Sequence, residues 1–390
     1  VKIFDRSILA LPFFDDAHRR LADEIEAWAS SYAELAAIPD GVDIRERGRR
    51  MIRLLGQAGW LEYAFGKHPD GVSLARPDLR TFCLIREGLS FLDDLCDFAF
   101  SIQGLASAPI IYYGSDEQKS RYLADFGAGR KICSLAISEP AVGSNVASVQ
   151  FRAVREGDHY VLDGEKTWVS NGSIADYYCV FARTGEGPGA LGLSCFIVPA
   201  ESSGVSVRDI DVMAPRPISS LSFHNCTVPG ENLVGKAGMG FKYAMELLNL
   251  YRTPVGSAAI GFCRKALQVA LQWSKSRKVS GTMLFDMQMT KQKFADMVVF
   301  LDAASVLVAR ASWESDNGLE TDSGHTSVAK LYATEGAQKV VDDALQLFGA
   351  AGTVRGSVPE QLYRQIRSLR IYEGTSEIQK LIIAGALATA

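Results

Sequence analysis

The sequence holds little that would mark a nucleic-acid binder, a secreted disulfide scaffold or a membrane protein. Across 390 residues, 41 Lys and Arg stand against 45 Asp and Glu, a formal net charge of −4. The basic residues are spread along the chain without a block or a basic-aromatic stripe, which argues against nucleic acid as a partner. No uninterrupted apolar run approaches the roughly 18 residues that a membrane helix needs. The stretch from Val1 to Ala10 is short and has no cleavage-like site, so no signal peptide is visible. The seven cysteines, Cys83, Cys96, Cys133, Cys179, Cys195, Cys226 and Cys263, are odd in number and never within four residues of one another. That spacing fits neither a metal knuckle nor a disulfide framework, and suits reduced thiols in a cytoplasmic protein. His18, His68, His159, His224 and His325 lie far apart without ligand spacing, so no metal site is expected. No Gly-x-Ser-x-Gly elbow exists to support serine-hydrolase chemistry.

Two glycine-containing segments resemble nucleotide loops only superficially. Gly164-Glu165-Lys166-Thr167 lacks the upstream glycine of a phosphate loop and reads as a hairpin turn entering a strand. Gly235-Lys236-Ala237-Gly238-Met239-Gly240 follows no parallel strand and reads as the entry to a helix at Phe241.

What is present is a change of periodicity along the chain. Apolar residues recur at helical spacing through Ala17–Tyr32, Gly48–Ala58 and Asp78–Leu92, and a further helix is expected from Asp116, capped by Ser115. From Lys131 the segments shorten and become rich in β-branched and aromatic residues: Ile132–Ile137, Phe151–Arg155, Tyr160–Leu162, Tyr177–Arg183, Ser194–Val198 and Leu221–His224. Helical spacing returns near Asn232, through Phe241–Asn249, Pro254–Ser274, Asp286–Trp313, Ser327–Leu347 and Ser376–Ala388. The predicted fold is therefore α+β, multi-domain and mostly α. It has a helical domain over 1–130, a β-barrel or sandwich over 131–233 and a four-helix bundle over 234–390.

The densest constellation lies near the C-terminus, in Ile371-Tyr372-Glu373-Gly374-Thr375-Ser376-Glu377-Ile378-Gln379. Ser376 and Gln379 have capping-box spacing, which puts Glu373 on the loop before a helix, with Gly374 permitting a sharp turn. From spacing alone, Glu373 either interacts with the helix N-terminus or, with its pKa raised by burial, serves as a base for a weakly acidic C–H.

This segment resembles the C-terminal signature of the acyl-CoA dehydrogenase family. Other motifs follow in family order: Leu135-Ala136-Ile137-Ser138-Glu139-Pro140-Ala141-Val142-Gly143-Ser144-Asn145, Lys166-Thr167-Trp168-Val169-Ser170-Asn171-Gly172, Tyr113–Lys119, Val228–Leu233, Arg277-Lys278 and Phe294–Met297. The resemblance implies a flavoprotein oxidoreductase acting on CH–CH bonds, with FAD between the β domain and the C-terminal bundle. It implies that Glu373 takes the α-proton of an acyl thioester while flavin takes the β-hydride. Leu135, Ser138, Gly143, Ser144, Trp168, Ser170 and Thr375 would then contact the cofactor. Arg277, Gln346 and Gly349 would reach the FAD of a neighbouring subunit, making a homotetramer or at least a dimer. Ser144, Arg252, Phe98, Ile102 and Gly374 would border the substrate, an acyl-CoA or acyl-carrier-protein thioester. An electron-transfer flavoprotein or similar acceptor is the implied redox partner. An oxidase or monooxygenase of the same fold is the alternative.

The chain also departs from the family pattern. Asn145 replaces an acidic residue, Val279-Ser280-Gly281 stands where an aromatic is usual, and the stretch from Arg216 to Phe223 is about two residues short; weaker FAD retention is expected. No Lys or Arg occurs from Glu87 to Gln118, so a cationic clamp on the acyl group must come from elsewhere. Asp93, Asp94 and Asp97 read either as solvated or as partners for an amino-bearing acyl group.

Overall fold

The computed structural model describes residues 2–35, 41–319 and 324–389. Their elements follow the predicted order of helices, sheet and helices. The first stretch holds α1 (Arg6–Leu9), α2 (Asp16–Ala29), α3 (Tyr32–Leu35), α4 (Ile44–Gln57), α5 (Leu79–Leu92), α6 (Asp94–Tyr113) and α7 (Asp116–Gly127). Several begin where an oxygen-bearing side chain satisfies first-turn N–H groups. Asp15 accepts from Ala17 and His18, Asp43 from Arg45, and Asp78 from Thr81. Ser115 and Gln118 form a complete reciprocal capping box at α7.

The strands are β1 (Cys133–Ala136), β2 (Arg152–Glu156), β3 (His159–Ser170), β4 (Tyr177–Arg183) and β5 (Leu193–Pro199). They continue with β6 (Val205–Ile210), β7 (Ile218–Pro229) and β8 (Leu233–Val234). All eight join one sheet in the order β6-β7-β3-β2-β4-β5-β8, with β1 parallel to β4. The sequence underestimates β3 and β7, each 12 residues long and paired antiparallel. Gly164 accounts for part of this. It lies inside β3 at a register shift with φ of 133°, where a Cβ would come within 2.9 Å of the Phe151 ring. It is a bulge rather than the predicted hairpin turn. The strand β6 escapes detection because Arg208-Asp209 break the apolar alternation begun by Val205 and Val207, and its middle four residues are all exposed.

The C-terminal stretch holds α8 (Gly240–Ser276), the short hairpin β9 (Lys278–Val279) and β10 (Thr282–Met283), α9 (Gln288–Asp316), α10 (His325–Phe348), α11 (Val358–Gln365) and α12 (Ser376–Thr389). The two helices expected on either side of Pro254 are one continuous helix, α8. Proline removes one N–H donor, but Tyr251, Arg252, Thr253 and Val255 are all buried around it. Their packing outweighs the roughly 3 kcal/mol a mid-helix proline costs.

The residues sort into two compact units. The first gathers Val1–Ala33, Asp78–Asp97 and Asn249–Ala390. Its core is rich in alanine: Ala258, Ala266 and Ala270 of α8 cluster with Ala304 and Ala311 of α9 and Ala329, Ala333 and Ala337 of α10. Small side chains let these helices approach closely, and Leu79 and Cys83 bring α5 into the same core. The second unit, Glu34–Pro77 and Phe98–Leu248, centres on the inner face of the sheet, where Phe181, Phe196 and Phe223 pack with Tyr122 and Phe126 of α7. The helix α6 has the length and composition to cross a membrane, yet its most apolar window is 89% buried within the protein. All seven cysteines are free thiols and all are buried; Cys133 and Cys179, on adjacent strands, bring their Sγ atoms to 3.9 Å.

Candidate active site

The C-terminal constellation folds as a strained turn between Arg370 and the first residue of α12. Glu373 has φ of 53° and Gly374 φ of 90°, so two consecutive residues are left-handed. For a glutamate that conformation is costly and persists only where neighbours impose it. Gln379, fully buried, donates from Nε2 to the carbonyls of Glu373 and Gly374 at 3.2 and 2.9 Å. The Lys330 ammonium donates to the Gly374 carbonyl at 2.8 Å. The helix starts at Ser376 as predicted, but the Ser376–Gln379 capping box does not form. Ser376 donates instead to the Glu335 carboxylate, and Thr375 Oγ1 accepts from the Ile378 N–H. Gln379 is recruited to hold the turn because it is buried facing two carbonyls that have no helical partner.

The clamp leaves Glu373 half-buried as a residue, with its Oε2 fully buried and without a hydrogen-bond partner among the described residues. Burial raises its pKa from 4.5 to about 7, against the pull of Arg86, Lys330 and Arg252. Burial also lowers Lys330, to about 8, and lowers Arg252, whose Nη1 donates to Asn249 at 3.1 Å while its Nε is buried unpaired. Arg86 differs. Burial would depress it too, but Asp97 outweighs that effect and holds the guanidinium above its usual range. The pair is two-pronged, Nε to Oδ1 and Nη2 to Oδ2, both at 2.8 Å, with each side chain only 3% exposed.

Sequence reasoning missed Arg86 and Lys330. Arg86-Glu87 in the middle of a largely apolar helix is the visible signal for the first of them. The three aspartates are not solvated. Asp94 and Asp97 are buried, Asp93 accepts from Leu95 and Cys96 at the start of α6, and Asp97 is taken by Arg86. An acidic cluster left open for an amino-bearing acyl group is therefore not what this helix offers.

Arg252, Gly374 and Thr375 lie in the first unit with Glu373; Arg277, Gln346 and Gly349 lie in the same unit but on its surface. The stacking of Trp273 on Phe348, centroids 4.7 Å apart, joins the ends of α8 and α10 that carry those three. The remaining predicted residues belong to the second unit. Phe98 is buried beneath the Arg216 guanidinium, and Ile102 packs against the sheet core. Leu135 lies on β1 beside Cys179, while Gly143 and Ser144 are exposed on the loop that follows. Asn145, next to them, spends its amide on Ser148 at 2.7 Å.

Ser138, Trp168 and Ser170 are brought together. The Thr167 N–H donates to the Ser138 carbonyl at 2.9 Å, and the Ser134 hydroxyl donates to the Ser170 carbonyl, lacing the end of β1 to the end of β3. Between them Trp168, at a register shift and with φ of 58°, projects an indole that is 61% exposed. Asn171 is also left-handed, and its buried Nδ2 has no hydrogen-bond partner among the described residues. A large exposed ring on a strained strand, flanked by serines and an unsatisfied amide, fits the edge of a planar heterocycle such as flavin.

Comparison with known proteins covers the chain from end to end. Family models for the acyl-CoA dehydrogenase N-terminal, middle and C-terminal domains match residues 15–130, 134–226 and 238–388. The chain is 33% identical over 380 residues to a 3-(aryl)acrylate reductase of Clostridium sporogenes, covering 96% of this chain and 99% of that one. Its structure resembles butyryl-CoA dehydrogenase from Megasphaera elsdenii, with 28% identity, a TM-score of 0.86 and coverage of 96% and 99%. It also resembles the prolyl acyl carrier protein oxidase AnaB, with 25% identity, a TM-score of 0.84 and coverage of 96% and 99%.

Proposed function

This chain belongs to the acyl-CoA dehydrogenase family, flavin-dependent oxidoreductases acting on CH–CH bonds, and we propose that it removes two hydrogens from an acyl thioester with Glu373 as the base. The observation that carries this reading is the Glu373 carboxyl, with a buried, unbonded oxygen and a pKa near neutrality. A base with that affinity can take a proton from a carbon acidified by a thioester carbonyl, yet release it afterwards. Removing the α-proton leaves enolate charge on the thioester oxygen. The Glu373 N–H has no acceptor among the described residues, and Lys330 and Arg252 add positive charge nearby. These groups stabilise the developing oxyanion.

FAD, when bound, supplies the acceptor for the hydride that leaves the β-carbon. Ser138, Trp168 and Ser170 of the laced strand ends would hold its ring, with Leu135, Gly143 and Ser144 beside it and Thr375 contributing from the turn. Arg277, Gln346 and Gly349 would reach a neighbouring subunit's cofactor in a homo-oligomer. Arg252, Gly374, Phe98 and Ile102 would border the acyl group, whose carrier is coenzyme A or a carrier protein. Electrons would pass on to an electron-transfer flavoprotein-like acceptor. Similarity to a carrier-protein oxidase favours a second reading, in which oxygen reoxidises the flavin directly.

Anaerobic titration of the flavin-loaded protein with a panel of acyl-CoA and acyl-carrier thioesters tests the proposal. At least one should bleach the flavin in wild type and fail to do so in Glu373→Gln. Equal bleaching in the variant would remove Glu373 from the chemistry. The rate at which reduced flavin reacts with oxygen separates dehydrogenase from oxidase.

A further inference from the structure

Three cations act on the Glu373 carboxyl, yet none is paired with it. Among the described residues, its Oε2 has no hydrogen bond and no ion pair within 4 Å includes it. The groups come from every side: Arg86 on α5, Asp97 on α6, Arg252 on α8 and Lys330 on α10, while Tyr372 of the same turn acts on Arg86. Each cation is engaged elsewhere. Lys330 is held by the Gly374 carbonyl and Arg252 by the Asn249 amide, both neutral acceptors. Arg86, which acts most strongly on Glu373, is the one whose charge is matched by a carboxylate.

A guanidinium and a carboxylate buried in the same interior would form a tight pair if geometry allowed. Such a pair lowers a carboxyl's pKa by about 1–3 and weakens it as a base. We propose that Asp97 is a positioning residue for the base: by taking the Nε–Nη2 edge of the Arg86 guanidinium, it holds that group away from pairing with Glu373. Both arms of the fork that face Asp97 are occupied at 2.8 Å, and side chains so thoroughly buried have little freedom to swing. This deepens the proposed function, since it takes Glu373 as the base, and it assigns the Arg86–Asp97 pair to setting that base's proton affinity.

The test reads Glu373 directly. Infrared titration of the flavin-loaded protein without thioester follows the C=O stretch of the protonated carboxyl, identified by its loss in Glu373→Gln. Wild type should lose that band with a midpoint of about 7. Asp97→Asn frees Arg86 and should bring the midpoint below about 6. Asp97→Glu should restore it most of the way, and Arg86→Gln should push it above the wild-type value. If an unpaired buried charge keeps Asp97→Asn from folding, the double variant Arg86→Gln/Asp97→Asn carries the test. It leaves neither charge behind, and its midpoint should also lie above wild type. An unmoved midpoint in the foldable variants, or a rise in Asp97→Asn, overturns the proposal. Because no thioester is present, the pair's role can fail while flavin reduction survives, or hold while no thioester is turned over.

Discussion

Burial and three neighbouring cations act on the Glu373 carboxyl in opposite directions, and burial prevails, leaving it near 7. Since the base must be ionised, the rate of thioester-dependent flavin reduction should rise with pH through about 7; a rate flat between pH 6 and 8 would count against this. Glu373→Gln should lower that rate by roughly 10²–10⁴-fold with flavin still bound, as measured by stopped-flow absorbance. The same residue should leave a mark on stability. Its folded pKa lies above the unfolded value, so its favourable contribution is complete below about pH 4.5 and is lost as pH rises through about 7. Glu373→Gln should therefore be more stable than wild type at pH 8, by up to about 3 kcal/mol, and barely different at pH 4 in urea unfolding. Gly374→Ala attacks the turn itself. It needs φ of 90°, and the added Cβ would lie 2.5 Å from Gln379 Nε2. A loss of about 1–2 kcal/mol is expected, together with slower flavin reduction, because the clamp on Glu373 must shift.

The helix that carries Arg86 is anchored at its start by two carboxylates. Asp78 caps α5 through Thr81, and Asp316, the last residue of α9, accepts from the Leu79 and Arg80 N–H groups at 2.6 and 3.1 Å and from Arg80 Nε at 2.8 Å. Removing it in Asp316→Ala leaves first-turn donors and a largely buried guanidinium short of a partner. A loss of about 2–4 kcal/mol is expected in denaturant unfolding; less than about 0.5 kcal/mol would mean that the anchor is idle. The Asp316 contacts could not be read from the chain, because Asp316 and the start of α5 are far apart in sequence. The same limit hid the Arg86–Asp97 pair, which spans two helices and no local pattern. Local patterns did deliver the start of α12, the cap at Ser115 and the turn bearing Glu373. They misled at Pro254, where packing overrides a breaker, and at Gly164, where a bulge imitates a turn. Gln379 has capping-box spacing, but burial turned its amide to the strained carbonyls.

The change of periodicity along the chain announces the three-part architecture, and family models matching all three parts agree with it. Neither periodicity nor the family motifs show how the chain's departures from the family pattern play out. Asn145 bonds to Ser148, and Ser280-Gly281 forms the tight turn of a two-strand hairpin with φ of 50° and 85°. Neither offers an aromatic or acidic contact to a cofactor, so substoichiometric flavin after gel filtration is the expected result, and full occupancy after long dialysis would contradict it. Every native thiol is sequestered from solvent. The folded protein should thus ignore water-soluble maleimides, and a single cysteine engineered at an exposed position would take a fluorophore alone, with no native residue deleted. Uptake of seven further labels would then count molecules that have opened completely, turning the silent interior into a clock for unfolding.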